Sequence, residues 1–228
     1  MSSALRVLAR EITACERCPR LRKHCREVAA TKRRAYLDWE YWGKPVPAFG
    51  DPKAQVLVIG LAPGAHGSNR TGRMFTGDRS GDFLYRALYE TGFASQAEST
   101  SREDGLELRD IYITASVRCA PPGNKPTTSE FAKCRRYLER ELDLLPGVRV
   151  VVALGRLAFD TYLSILRDRQ KIVSRAGFVF AHNRRFQTAP GMPLLISCYH
   201  PSQQNTSTGK LTYAMLRDVF ESARAEVL

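Results

Sequence analysis

Four short apolar runs punctuate the chain, at Gln55–Gly60, Asp110–Ala115, Arg149–Leu154 and Leu194–Tyr199. They are rich in Val and Ile and read as strands buried on both faces. Stretches with helical periodicity at Gly81–Thr91, Thr127–Leu145, Arg156–Leu166 and Leu211–Val227 predict helices. The first three helices fall between strands, as the crossovers of βαβ units do, so the pattern predicts an α/β fold with a parallel sheet. Residues 1–28 read as helical with a cysteine pair inside, and residues 29–50 as irregular. The polar stretch Ser95–Gly105 reads as a surface excursion. Arg175–Pro193 fits either a hairpin or a loop. There is no internal repeat, and 228 residues suit a single domain spanning the chain.

Each expected strand runs into an unusual loop. The first leads into Gly60–Arg70, which carries three glycines, a proline and a histidine; the second leads into Ser116–Pro126. The third meets Gly155-Arg156, and the fourth meets His200-Pro201-Ser202. Open α/β sheets bind ligands outside the carboxyl ends of their strands. The chemically distinctive residues therefore lie where a site is expected.

Charge sharpens that picture. Lys and Arg number 35 against 23 Asp and Glu, a formal net charge of +12. Such an excess favours a polyanionic partner, because each neutralised phosphate releases condensed counterions. No apolar run approaches the ~20 residues that span a bilayer, and Met1–Arg6 has no secretory apolar core. No membrane association is expected, and a cytoplasmic location is. A reducing compartment disfavours disulfides as the use of six cysteines.

Four of those cysteines have ligand-like placement. Cys15 and Cys18 form C-x2-C, while Cys119 lies in the second loop and Cys134 early in the following helix. Four thiolates from two segments suit zinc or an iron–sulfur cluster, and spacing does not separate the two. Cys198 reads as strand core, and Cys25 has no assignment. The glycine loop matches neither G-x-G-x-x-G nor a phosphate-binding Walker loop. Its density of polar residues suits a pocket wall, and Phe75 among them suits a stacking platform for a base. His200 directly follows the fourth strand and can donate to a developing anion. Asn124 has an amide able to read a base edge. The polar run Gln203–Lys210 can supply donors to phosphates.

Taken together, these residues resemble the uracil-DNA glycosylase superfamily, and most closely its family 5, the type B iron–sulfur enzymes. The stretch G-L-A-P-G-A-H-G-S-N-R-T-G-R-x-F-T-G-D at Gly60–Asp78 is similar to that family's first motif. The stretch H-P-S-x-x-N-T-x-T-G-K-L-T at His200–Thr212 is similar to its second, and the cysteine frame completes the pattern. The resemblance implies a three-layer αβα sandwich with a central four-stranded parallel sheet. It implies a structural [4Fe–4S] cluster on Cys15, Cys18, Cys119 and Cys134. It also implies action on double-stranded DNA that carries uracil or another deaminated base such as hypoxanthine; base flipping requires only one subunit, so a monomer is expected.

Carried over residue by residue, His200 would stabilise the leaving base anion and Asp78 would position water. The base pocket would draw on Gly60, Ala62, Gly64, His66, Asn69, Phe75 and Asn124. DNA contacts would come from Arg70, Arg73, Ser202, Gln203, Asn205 and Lys210, with the loop after His200 entering the duplex. Many relatives in the wider superfamily carry an acidic or amide residue where this chain has Leu61-Ala62, so the water-activating group is open. The competing reading is a metal-stabilised DNA-binding module without catalysis. A phosphoesterase would need clustered carboxylates for divalent metal, and the strand ends offer only Asp78 and Asp82.

Overall fold

The computed structural model of the chain describes residues 3–228. Its sheet has six strands: β1 (Phe49–Gly50), β2 (Val56–Gly60), β3 (Ile111–Ala115), β4 (Val150–Leu154), β5 (Arg184–Gln187) and β6 (Leu194–Cys198). The order across the sheet is β1-β3-β2-β4-β6-β5. β2 pairs in parallel with both β3 and β4, and β4 with β6. β1 and β5 lie antiparallel at the two edges. The sheet is thus wider than the four strands expected. Both additions were hidden for physical reasons: β1 is two residues long, and β5 is a largely exposed Arg-Arg-Phe-Gln run with no apolar pattern. Arg175–Pro193 resolves as part of a hairpin, with β5 antiparallel to β6.

The β2–β4 and β6 sequences alternate between faces, as strands must. Val56 and Val58 face one core with α4 (Arg79–Glu90) and α8 (Tyr213–Ala225). Leu57 and Ile59 face the opposite core with α5 (Thr128–Leu144) and α6 (Arg156–Asp168). Helices therefore cover both sides of the sheet. Local caps fix where they begin. Asp78 caps α4 by accepting from the Gly81 N–H, and Thr127 with Glu130 forms a reciprocal capping box on α5.

The N-terminal region is not continuous helix around its cysteines. α1 (Ser3–Thr13) ends before Cys15, and α2 (Pro19–Thr31) starts after Cys18, with Pro19 at its first position. The cysteine pair sits in the break. Leu8, Ile12, Leu21 and Cys25 of this pair of helices pack against Val117, Ala120 and Tyr137. Ser95–Gly105 also departs from the expected surface excursion: Ser99 is buried, and Asp104 pairs with buried Arg73. Among the described residues, no helix is long and apolar enough to cross a membrane.

Candidate active site

A cleft of about 840 Å3 opens at the carboxyl ends of β2, β3 and β6. Leu61, Ala62, Gly64, His66, Phe75, Asp78, Asn124, His200, Ser202 and Gln203 line it. The loops leaving three separate strands therefore meet in one place. A second groove, of about 800 Å3, is lined by Arg10, Arg22, Arg26 and Glu16 but by no imidazole. Its Glu16 pairs with Arg22 and Arg26, which spends much of its charge.

Phe75 is the most constrained residue of the cleft. Its φ is +52°, a left-handed conformation that costs a bulky residue on the order of 1–3 kcal/mol. Three neighbours hold it there. The Tyr85 hydroxyl donates to the Met74 carbonyl at 2.8 Å. A Cβ on Gly81 would overlap the Phe75 carbonyl oxygen, so only glycine lets α4 begin so close. A Cβ on Gly60 would lie 2.8 Å from the Phe75 ring, so that glycine is the bed on which the ring rests. Gly60 is itself buried under the ring and does not line the cleft.

His200 stands beside Phe75, with ring centroids 5.9 Å apart and planes 32° off parallel. At that distance the rings contact each other, so a base would lie on Phe75 next to the imidazole rather than between the two. The Asn205 side chain donates to the His200 carbonyl at 2.9 Å, and Gly155 leaves room for its Cβ. Burial pushes the His200 imidazole down to about 4, so the ring is neutral at physiological pH. A neutral imidazole still carries one N–H and can act as a donor.

Asp78 serves the fold and faces the cleft at once. One carboxylate oxygen accepts from the Gly81 N–H at 3.0 Å; the other lies against Gly64 and Gly67, where a Cβ would obstruct it. Burial raises its pKa above the ordinary carboxylate value, against the lowering effect of the Gly81 and Ser80 N–H groups. His66 accepts or donates a 3.1 Å hydrogen bond with the Tyr41 hydroxyl, and burial, then Arg33, lowers its basicity. Asn124 is exposed at φ +57° on a turn of 3-10 helix, Pro122–Asn124.

Three expected contact residues are not available to a ligand. Asn69 is fully buried and donates to the Cys25 and Ala65 carbonyls. Arg70 is buried, donates to the His66 and Gly77 carbonyls, and stacks on Tyr36 and Trp39. Arg73 is buried, with Asp104 at 2.6 Å and the Thr76 and Ser99 hydroxyls at 2.9 Å. Burial alone would raise the Asp104 carboxyl, but Arg73 and two backbone N–H groups bring it down to about 2. These buried residues build the short helix α3 (Ser68–Thr71) and the loop after it that presents Phe75. Asn205 likewise turns inward to His200, and Ser202 caps the short helix α7 (Gln203–Ser207). Gln203 and Lys210 are exposed.

Arg33 lines the cleft, in the basic stretch Lys32–Arg34 that the sequence leaves open between phosphate contact and solvated surface; Tyr36 and Arg79, which the sequence did not single out, line it too. Arg33 and Arg79 are exposed and have no ion-pair partner among the described residues. The signal available was weak, since the first lies in an irregular stretch and the second at a helix start.

Cys15, Cys18, Cys119 and Cys134 line one narrow cavity between α2, α5 and the loop after β3. Burial raises the Cys18 thiol and pushes the Cys134 thiol up to about 12. Among the described residues, no three Cys, His, Asp or Glu side chains close on a point fit for a single metal ion. Four soft sulfurs are the donor chemistry of zinc or of an iron–sulfur cluster, and the cavity they share is about 10 Å3.

The chain is similar to known proteins over nearly its whole length. A model of the uracil DNA glycosylase superfamily matches residues 47–224. The type-5 uracil-DNA glycosylase of Thermus thermophilus is 50% identical over 213 residues, covering 93% of this chain and 94% of its own. That of Mycobacterium leprae is 49% identical over 215 residues, covering 94% and 92%. The type-4 uracil-DNA glycosylase of Archaeoglobus fulgidus is more distant, at 30% over 179 residues, covering 78% and 77%.

Proposed function

The chain belongs to the uracil-DNA glycosylase superfamily, within its type-5 branch, and from that premise we propose that it excises uracil from double-stranded DNA. Other deaminated bases such as hypoxanthine are included in the proposal. The protein acts as one domain and one subunit. The observation that carries this reading is the meeting of Phe75, Asn124 and His200, from three separate loops, in one cleft. The metal-stabilised module without catalysis would leave all three idle.

The reaction follows from those residues. The flipped base stacks on Phe75, and the Asn124 amide meets its edge. As the C1′–N bond breaks, its electron pair leaves with the base and the sugar becomes an oxocarbenium ion. The neutral His200 N–H donates to the anion developing on the base. Water adds to C1′, and the Asp78 carboxylate accepts a hydrogen bond from it and takes its proton. Leu61 and Ala62 offer no polar group for that task. Cys15, Cys18, Cys119 and Cys134 would hold a [4Fe–4S] cluster. Such a group, when bound, ties the N-terminal helices to α5 as a structural staple.

Incubation with a uracil-containing duplex followed by heating in alkali tests the reading. Strand breakage at the uracil is expected without added metal, and an intact strand would refute it. Flipping costs least from a mismatch, so uracil opposite guanine should react faster than uracil opposite adenine under single-turnover conditions.

The pH profile is a further prediction. Asp78 must be ionised to take the proton from water, and burial raises its pKa above the ordinary carboxylate value. Excision should therefore fall on the acid side at a higher pH than an ordinary carboxylate would give, while His200, neutral above about 4, adds no limb near 6.5. A limb with an apparent pKa near 6.5 would show instead that the imidazole titrates freely. Stability carries the same sign. Between about 4 and 6.5 the unfolded chain binds a proton at His200 that the folded chain does not. This contribution is complete above pH 6.5 and lost as pH falls toward 4.

The unpaired rim cations Arg33 and Arg79 are the phosphate contacts of this reading, in place of Arg70 and Arg73. Replacing either with Ala should reduce the slope of log K against log salt by about 0.9 for an abasic-site duplex. An unchanged slope in both variants would remove them from the interface.

A further inference from the structure

We propose that Arg118 is the charge partner of the group held by Cys15, Cys18, Cys119 and Cys134, dividing its guanidinium between that group and Glu141. The inference rests on the cluster reading above and adds a residue that the cysteine pattern does not name.

Arg118 is 1% exposed, the largest fully buried side chain of the protein's described part, and it borders the cysteine cavity. Its Nη2 pairs with Glu141 Oε2, which also accepts from the Thr114 hydroxyl at 2.6 Å. Its Nε and Nη1 are buried without a partner. A shift to bidentate pairing would let the free Glu141 Oε1 satisfy Nε, yet Nη1 would remain unmatched. Its backbone N–H already donates to the Cys134 sulfur at 3.3 Å. The side chain thus sits one residue from a ligand, with donor capacity to spare, in a place water does not reach.

A buried cation with unmade hydrogen bonds is unfavourable unless an anion completes it. A cluster bound by four thiolates carries net negative charge and accepts N–H donors at sulfur, and such donors raise its reduction potential. Glu141 anchors the guanidinium from the sheet side, through Thr114 on β3. The ion pair and the cysteine cage therefore form a single unit linking the sheet to the N-terminal helices.

The test must separate this from an ordinary buried ion pair. Arg118→Met leaves Glu141 buried and unpaired, which is destabilising whatever the cavity holds. The double variant Arg118→Met/Glu141→Leu removes both charges and keeps the volume apolar. Each purified protein is assayed for iron content, visible chromophore, rate of bleaching by a chelator, and midpoint potential. Thermal melting monitors the fold. The double variant should melt no lower than the wild type once iron is stripped from both. It should nevertheless lose iron at least 10-fold faster, in line with the roughly 10–100-fold effects of outer-shell groups, and show a more negative potential. A double variant that holds iron at the wild-type rate and potential would overturn the proposal. Wild-type protein that is colourless and free of iron would overturn both the proposal and the cluster reading beneath it.

Discussion

Replacing His200 with Ala is expected to slow single-turnover uracil excision by about 10²–10³-fold, equivalent to about 2.7–4 kcal/mol of barrier, the range seen when one well-aimed donor to a developing anion is removed. Affinity for an abasic-site duplex should hardly change, because the imidazole acts on the base, not on the phosphates. The size of the effect follows from the surroundings. The ring is half-buried at the wall of the cleft and neutral, so its N–H is a fixed dipole in a site partly shielded from water. Its backbone is pinned by Asn205, and Gly155 makes space beneath it. Asn205→Ala should therefore reproduce part of the loss without touching the base. A His200→Ala enzyme excising at near the wild-type rate would mean that the base anion is stabilised elsewhere.

Gly81→Ala is expected to be the most damaging change of a single methyl group in the chain. The new Cβ would overlap the Phe75 carbonyl, and backbone cannot step aside as a flexible side chain can. A cost of about 3 kcal/mol, the upper end of the overpacking range, is expected. For a chain of this size that is a fall of about 6–12 °C in Tm. The same displacement would tilt the Phe75 ring off Gly60 and lower excision. Gly177→Ala, where a Cβ meets nothing within 4 Å, is the matched control and should be nearly silent. Equal melting of the two variants would show that the first turn of α4 is not what fixes the Phe75 backbone.

The sequence revealed what strong periodicity and spacing encode. The four buried strands were legible because each is an unbroken apolar run, and the main helices because each carries a clear apolar face. The ends of those strands pointed to the cleft, and His200, Phe75 and Asn124 are indeed all on its wall. Edge strands β1 and β5 were not legible, since neither buries enough apolar surface to leave a pattern. Arginine was the main source of error. Arg70 and Arg73 lie in the most polar loop and read as DNA contacts, yet both are buried, Arg70 donating to carbonyls from Nε and Nη2 and stacking on aromatic rings with its Nη1 unpaired, and Arg73 paired with Asp104. Charge in a sequence does not say whether its partner is a phosphate or a carboxylate 31 residues away. Asp104 was the missing half, in a stretch too polar to be read as packed. Arg118 is the same lesson in the core, where the residue beside Cys119 proves to be buried against Glu141.

The most direct measurement is a crystal structure of the protein with an abasic-site duplex and free uracil. Uracil should lie face-on against the Phe75 ring, with a carbonyl oxygen within hydrogen-bond distance of His200 and its edge toward Asn124. Uracil bound in another groove, or a duplex whose abasic sugar points away from these three residues, would contradict that placement.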